Sequence, residues 1–469
     1  ERGRSMTKFW TNALGVIKLD PDALLKFLEE NGFGLLESDS VQGNIVVRSD
    51  GHIIRTVMTM DIRKFCLDFV ASQENSMDPM EMKQIRNLLI TDRTVIRNDN
   101  IPLLQKLDVR EIEDEEDISY IFFTNCILII NEDGVQKVLH EDVAGHCYKS
   151  DIINFDLATE DMDREQGLFK QFILDISSHG NPEIAQHNYL SLVSIIGYIL
   201  HRYKDPSNPR ALILLDPFRG EGSNGGSGKS LLTQAFQKVR STVFQDGKRF
   251  HLNERFSLSN VEYDTRILVI DDLPDRFDFS KLFPLISERA VVEKKYQDKT
   301  VIGYDKSPKI VLTSNFTINS DDESSKRRKV EFILSDVFKS DYKPIHKYGQ
   351  LLFDGWSKEE WENFYVFMAR CISFFLKNGL IMPRINVTER ALKISAHPKF
   401  IEYADNNFET GVKYNKKDVY DDFYANNPGV HQVSMTGFQI WLSLYAEAYG
   451  YKMTETHSNS NNFFQYSLE

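Results

Sequence analysis

The residues of this chain that could do chemistry begin at Gly222-Ser223-Asn224-Gly225-Gly226-Ser227-Gly228-Lys229-Ser230. In a glycine-rich loop closed by Gly-Lys-Ser the backbone N–H groups turn inward. With the positive end of a following helix they make a cradle for phosphate oxygens. Ser223, Asn224, Gly225, Gly226, Ser227 and Gly228 would line that cradle, Lys229 would reach β- and γ-phosphates, and the Ser230 hydroxyl would ligate Mg²⁺. The usual pattern has glycine where this chain has Ser223, but Gly222, Gly225 and Gly226 surround it and leave a tight turn possible. Farther on, Asp271 and Asp272 end an apolar run over 267–270. Asp271 can hold Mg²⁺ through water, and Asp272 can orient and deprotonate an attacking water. Alone, Asp-Asp before Leu-Pro would read as a turn; downstream of Gly-Lys-Ser it reads as part of the same site. Asn315 ends a third run, 309–314, where a carboxamide can position water against a terminal phosphate.

These residues need elements to hold them. The apolar run 211–215 predicts a strand and 231–236 a helix, giving strand, loop, helix. Between Lys229 and Asp271 there is room for one helix and one further strand. Residues 290–302 predict two strands around a short turn, with Lys294, Lys295 and Lys299 near the tip. That hairpin is either solvated surface or a grip on a phosphate backbone. Lys326-Arg327-Arg328-Lys329 precedes another apolar run, 330–334. A basic run is usually surface, and either Arg327 or Arg328 could reach a phosphate held by a neighbouring subunit.

At 469 residues, 41% hydrophobic and 27% charged, the chain has the composition of a soluble globular protein of several domains. Its four cysteines form no C-x-x-C pair, which argues for a reducing compartment and against a disulfide framework or structural zinc. No apolar stretch is long enough to span a bilayer, and no signal peptide opens the chain, so no membrane partner is expected. Net charge is −13, and much of the acidity lies in 111–117 and 160–165, which read as solvated surface. A local basic surface would still suffice for nucleic acid.

Helices are expected at 20–33, 61–71, 79–89, 165–176 and 182–203, a hairpin over 46–59, and one buried strand over 120–130. Ser357-Lys358-Glu359-Glu360 is a capping box for a helix to Lys377, whose stripe of Trp361, Phe364, Met368, Cys371, Ile372 and Phe375 reads as core. Helices at 416–424 and 435–449 followed by a polar hairpin suggest a winged helix. Its basic residues are few beyond Lys413, Lys416 and Lys417, so packing or subunit contact fits it nearly as well as DNA.

Taken together the motifs resemble superfamily 3 helicases, the AAA+-type replicative motors of viruses, phages and plasmids. The resemblance rests on Walker A (223–230), Walker B (267–272), the hairpin motif Lys294-Lys295-Tyr296, the terminal Asn315 and the arginine pair. Upstream, Phe122-Phe123-Thr124-Asn125 through Asp133-Gly134, and Ile196-Gly197-Tyr198, resemble the collar of phage and poxvirus-type primase-helicases. Downstream, Tyr348-Gly349-Gln350-Leu351-Leu352-Phe353-Asp354-Gly355-Trp356 is similar to phage and prophage members. The resemblance spans roughly residues 120–380.

The order of elements suggests an α+β N-terminal domain (1–110), a helical extension (341–412) and a winged-helix-like domain (413–469). The resemblance implies a multidomain α/β protein with a helical collar (111–205) and an AAA+-like P-loop ATPase core with a parallel sheet (206–340). It further implies ATP and Mg²⁺ as cofactors, a ring, usually hexameric, and movement on single-stranded DNA in the cytoplasm of a bacterial host. Lys229, Asp271, Asp272, Asn315 and Arg327 or Arg328 would be catalytic, Ser230 and Asp271 would hold the metal, and Lys294, Lys295 and Lys299 would face DNA. A primase or polymerase would be a partner, and a primase half could precede Glu1. Two rivals use the same loop: an ATPase that remodels protein or acts in phage defence, and a DNA-binding replication scaffold in which nucleotide only holds the ring together.

Overall fold

The computed structural model describes residues 8–36, 41–42, 45–91, 94–96, 100–178, 182–216, 226–251, 257–274, 277–293, 300–315, 322–339, 341–384, 392, 395–458 and 461–468. At its centre five parallel strands lie in the order Thr242–Asp246, Ile267–Leu273, Lys309–Ser314, Ala211–Leu215, Lys329–Ile333. All five residues of Ala211–Leu215 are buried, as expected of a central parallel strand covered on both faces. The period-two alternation divides them. Leu212 and Leu214 join the core formed with the helices Leu168–Ser177, Pro182–Leu200, Lys229–Gln237 and Lys358–Asn378. Ala211, Ile213 and Leu215 join a second core with Leu268, Ile270 and Leu285. Because the strands run the same way, their carboxyl ends share one edge, and Asp216, Asp271 and Asn315 all emerge there.

Helices Pro182–Leu200 and Lys358–Asn378 pack closely at Gly197, where a Cβ would stand 2.1 Å from the carbonyl oxygen of Cys371. The long helix starts at the expected cap, with the Ser357 hydroxyl accepting from the Glu360 N–H. It is buried almost all round from Glu362 to Ala369, far beyond the single stripe its sequence suggests.

The N-terminal region supplies a five-stranded sheet, ordered Cys147–Tyr148, Ile53–Thr56, Ile45–Asp50, Phe33–Leu36, Lys106–Leu107. Three helices, Pro21–Glu30, Thr59–Ser72 and Pro79–Thr91, pack against it around Phe9, Phe27 and Phe33. A second, four-stranded sheet corrects the single strand expected over 120–130. Ser119–Phe123 and Ile127–Asn131 are antiparallel partners, and the Phe123 N–H donates to the Cys126 carbonyl at 2.8 Å. The turn holds because the Asn125 carboxamide replaces the missing backbone partners, donating to Leu157 O and accepting from Leu157 N, each at 3.0 Å.

The acid-rich 111–117 is a second correction. Glu113, Glu115, Glu116 and Asp117 are exposed, but Asp114 is buried with Asp151 against Arg202, Arg240 and Arg266. Burial would raise the Asp114 carboxyl, and Arg202 and Arg240 overcome this and hold it below the usual range. Arg240 and Arg266 precede the strands Thr242–Asp246 and Ile267–Leu273, so this ion network fixes the N-terminal region to the amino edge of the sheet.

At the C-terminal end, helices Pro398–Asn407, Lys416–Asn426 and Met435–Ala448 pack with a sheet of Lys413–Asn415, Asn461–Leu468 and Tyr451–Ser458. Their common core includes Phe400, Phe423, Phe438, Trp441 and Tyr466, so the helix at 398–407 packs with this unit. Lys416 is buried and paired with Glu455 at 2.8 Å, and Lys413 lies 4.7 Å from the Phe463 ring centroid. Among the described residues no helix is long and apolar enough to cross a membrane.

Candidate functional site

The strand Ala211–Leu215 delivers Asp216 to the carboxyl edge, and the chain returns as the helix Lys229–Gln237. The entry to that helix requires glycine. Gly228 has φ +104°, and a Cβ there would lie 2.8 Å from the Phe172 ring. Gly226 also has positive φ. Lys229 therefore sits in the first turn, largely buried, with its ammonium at the sheet edge. It donates to Asp216 Oδ2 and Asn315 Oδ1, each at 2.5 Å, and approaches the Ser314 carbonyl at 3.3 Å. The Ser227 hydroxyl donates to the other Asp216 oxygen. Ser230 is exposed beside this group.

The strand Lys309–Ser314 lies between the loop strand and Ile267–Leu273, so it carries Asn315 to Lys229 on one side and meets the acids on the other. Its Thr313 hydroxyl donates to Asp271 Oδ1 at 2.5 Å and accepts from the Asp272 N–H at 2.8 Å. The register breaks between Ile270 and Leu273, and Asp272 has φ +58°. A non-glycine residue in that region is strained, and the two Thr313 bonds help hold it. Gly247 passes so close that its N–H donates to the Asp271 carbonyl at 2.6 Å. A Cβ at Gly247 would stand 2.7 Å from that oxygen. The next residue, Lys248, pairs with Asp272 Oδ2 at 2.5 Å, both side chains well exposed. The Asp272 hydrogen bond raises the Lys248 ammonium above its ordinary value.

The two candidate arginines differ. Arg328 is tied within its own chain, donating from Nε to Ser287 Oγ at 2.7 Å and from Nη1 to Ser324 O at 3.1 Å, with its guanidinium 4.7 Å from the Phe283 ring centroid. Arg327, at the end of the helix Glu323–Arg327, is exposed. Strands Ala290–Val292 and Thr300–Ile302 pair antiparallel as expected, and the second also pairs with Val41–Gln42. Lys294, Lys295 and Lys299, like Ser223, Asn224 and Gly225, lie outside the described residues.

The structure thus joins Lys229 to Asn315, and sets Asp271 and Asp272 one strand away across Thr313. It adds Asp216, Thr313 and Lys248, which sequence reasoning missed. Only Asp216 carried a signal, as the acid that ends the loop strand. Among the described residues the groups gathered here, an ammonium, a serine hydroxyl and carboxylate oxygens, suit a phosphate and a hard cation.

A family model described as a family of unknown function, DUF5906, matches residues 221–328. No curated protein matches the chain. Among solved structures, "The A form apo structure of NrS-1 C terminal region-CTR(305-718)" is similar at 13% identity and a TM-score of 0.37, covering 96% of this chain and 100% of that one.

Proposed function

We propose that the chain is an ATP-dependent DNA motor, a P-loop ATPase of AAA+ type that assembles as a hexameric ring and moves on single-stranded DNA during phage or prophage replication. The observation that carries this reading is the position of Lys229. Its ammonium stands between Asp216 and Asn315 at the carboxyl edge of a parallel sheet, on a helix opened by Gly228-Lys229-Ser230. One strand separates the loop strand from the acid strand, so Asn315 stands between the lysine and Asp271.

In this reading Mg²⁺ bound with ATP would neutralise and orient the γ-phosphate. The chain's own groups divide the remaining work. Lys229 exchanges Asp216 for phosphate oxygens, and Ser230 and Asp271 offer oxygen ligands to the metal. Asp272, once parted from Lys248, takes the proton of the attacking water, and Asn315 orients that water. Arg327 is the arginine offered to a neighbouring subunit, because Arg328 is committed to Ser287, Ser324 and Phe283. Lys294, Lys295 and Lys299 would contact the DNA strand in this reading, an assignment that rests on the sequence alone. The C-terminal unit serves packing or subunit contact, since Lys416 is already neutralised by Glu455. The motor would work in the bacterial cytoplasm beside a primase or polymerase.

The test is steady-state ATP hydrolysis by the wild type and Lys229→Ala, each with and without single-stranded DNA. DNA-stimulated turnover lost in the variant is expected. Turnover indifferent to DNA would move the reading to a remodelling ATPase, and nucleotide binding without turnover would leave a scaffold.

A further inference from the structure

A cleft of about 690 Å³ opens between the N-terminal five-stranded sheet and the four-stranded sheet, on elements separate from the Lys229 edge. Arg48, Arg55, Lys149 and Asn154 line it, with Asp50 as its acid. Arg48 and Arg55 are direct cross-strand partners in the hairpin of Ile45–Asp50 and Ile53–Thr56. Like charges in that position destabilise a sheet, so the pair needs another reason to stand there. Arg48 is held rigidly: Nε donates to Asn31 O at 3.2 Å, and the guanidinium lies 4.3 Å from the Phe65 centroid and 5.2 Å from that of Phe33. Burial first, and Arg55 second, lower its pKa, with Asp50 opposing them. Arg55, Lys149 and Asn154 are exposed, and among the described residues neither Arg55 nor Lys149 has an ion-pair partner closer than 4 Å.

We infer that this cleft is a second binding site for the phosphodiester backbone of a single nucleic-acid strand. Two guanidinium forks on one sheet face can each take a phosphate bidentately, and Lys149, just past the strand Cys147–Tyr148 that pairs with Ile53–Thr56, adds a point charge to the lining. The Asn154 carboxamide offers a neutral donor. The cleft has the size of a nucleotide site rather than of a single ion site. A chain of net charge −13 that concentrates three cations around one concave surface does so against its overall balance. The partner is the strand assigned under the proposed function, and to that extent the inference rests on it. The site is new, and it would guide the strand where the N-terminal region meets the rest of the chain.

The experiment is fluorescence anisotropy of a labelled oligothymidylate with the full chain, without nucleotide, across a salt series. The wild type is compared with Arg55→Ala/Lys149→Ala, two exposed positions whose loss leaves both cores intact, as a thermal melt would verify. Each phosphate contact contributes about 0.7 to the salt slope on a single strand, so the variant should lower the slope by about 1.4 and weaken binding roughly tenfold at low salt. Its DNA-independent ATP turnover should be unchanged. Equal affinity and slope in the two proteins would overturn the cleft while leaving the motor reading intact. So would competition by polyglutamate but not by unlabelled strand, which would make the partner an acidic protein. Saturation by inorganic phosphate with no strand binding would also overturn it. If ATP turnover fails in both proteins but the slope change is seen, the motor reading falls and the cleft stands.

Discussion

Asp216 holds the ammonium that a nucleotide would need. In Asp216→Asn the side chain keeps its shape and one acceptor but loses its charge. At an effective dielectric near 20, opposite charges about 4 Å apart attract by roughly 4 kcal/mol before desolvation, and charge-assisted hydrogen bonds net about 1.5–3 kcal/mol. The observed contact is 2.5 Å and largely buried, so it belongs at the upper end of that range. A phosphate must draw Lys229 from this pair, and the pair energy therefore opposes binding. Asn315 retains its bond to the ammonium, and the introduced carboxamide can replace part of the lost one. We expect roughly half the pair energy, about 1–1.5 kcal/mol, to be released, which tightens nucleotide binding by about 5- to 12-fold. Titration with a fluorescent ATP analogue, in Mg²⁺ and in EDTA, measures this directly. Tighter binding in both conditions supports the argument. Binding weakened tenfold or more in Mg²⁺ and unchanged in EDTA would refute it, because Asp216 would then be a ligand to the metal rather than a restraint on the lysine.

Two further outcomes follow from the geometry. Arg327→Ala should lower ATP turnover by about 10³-fold in the assembled protein with nucleotide affinity kept, whereas Arg328→Ala should chiefly lower Tm by breaking its contacts to Ser287, Ser324 and Phe283; equal losses of turnover with unchanged Tm would reverse the assignment. Burial pushes the His201 imidazole down from 6.5 to about 4, with Lys309 adding to the shift and Asp114 opposing it. Since the folded state then binds fewer protons than the unfolded chain between those values, stability falls as pH drops through 6.5 and the cost is complete below about 4, near 3 kcal/mol. His201→Gln, which can keep the donor to Glu115 O, should flatten that slope in urea titrations between about pH 4.5 and about pH 7.

The parts of the site legible in the sequence were those at the ends of strongly apolar runs. Asp271 and Asn315 each follow a run whose burial the composition demands, and Lys229 closes the glycine-rich loop just before another, so strand, helix and edge could be anticipated. Asp216 follows such a run too, but its role depends on which strands are neighbours. Only when Lys309–Ser314 lies beside Ala211–Leu215 does Asn315 come opposite Asp216 with Lys229 between them. Thr313 was invisible for a different reason. Inside an apolar run a threonine reads as a β-branched filler, and its hydroxyl acquires a function only from the acids on the adjacent strand.

The same limit explains the acidic segment. Charge density predicts solvated surface unless partners exist, and the partners of Asp114 and Asp151 come from Arg202, Arg240 and Arg266, distant in sequence. These two misses fall on opposite edges of one sheet. At the amino edge charges are buried and mutually satisfied, an arrangement that tolerates little movement because removing one partner leaves another charge buried alone. At the carboxyl edge Lys229 and Lys248 are paired with acids that other ligands could displace, and Asp272 is held in a strained conformation. A sheet anchored at one edge and provisionally paired at the other is arranged so that binding alters the pairs at the carboxyl edge first. Substitutions in the amino-edge network should accordingly change stability before they change the chemistry at Lys229.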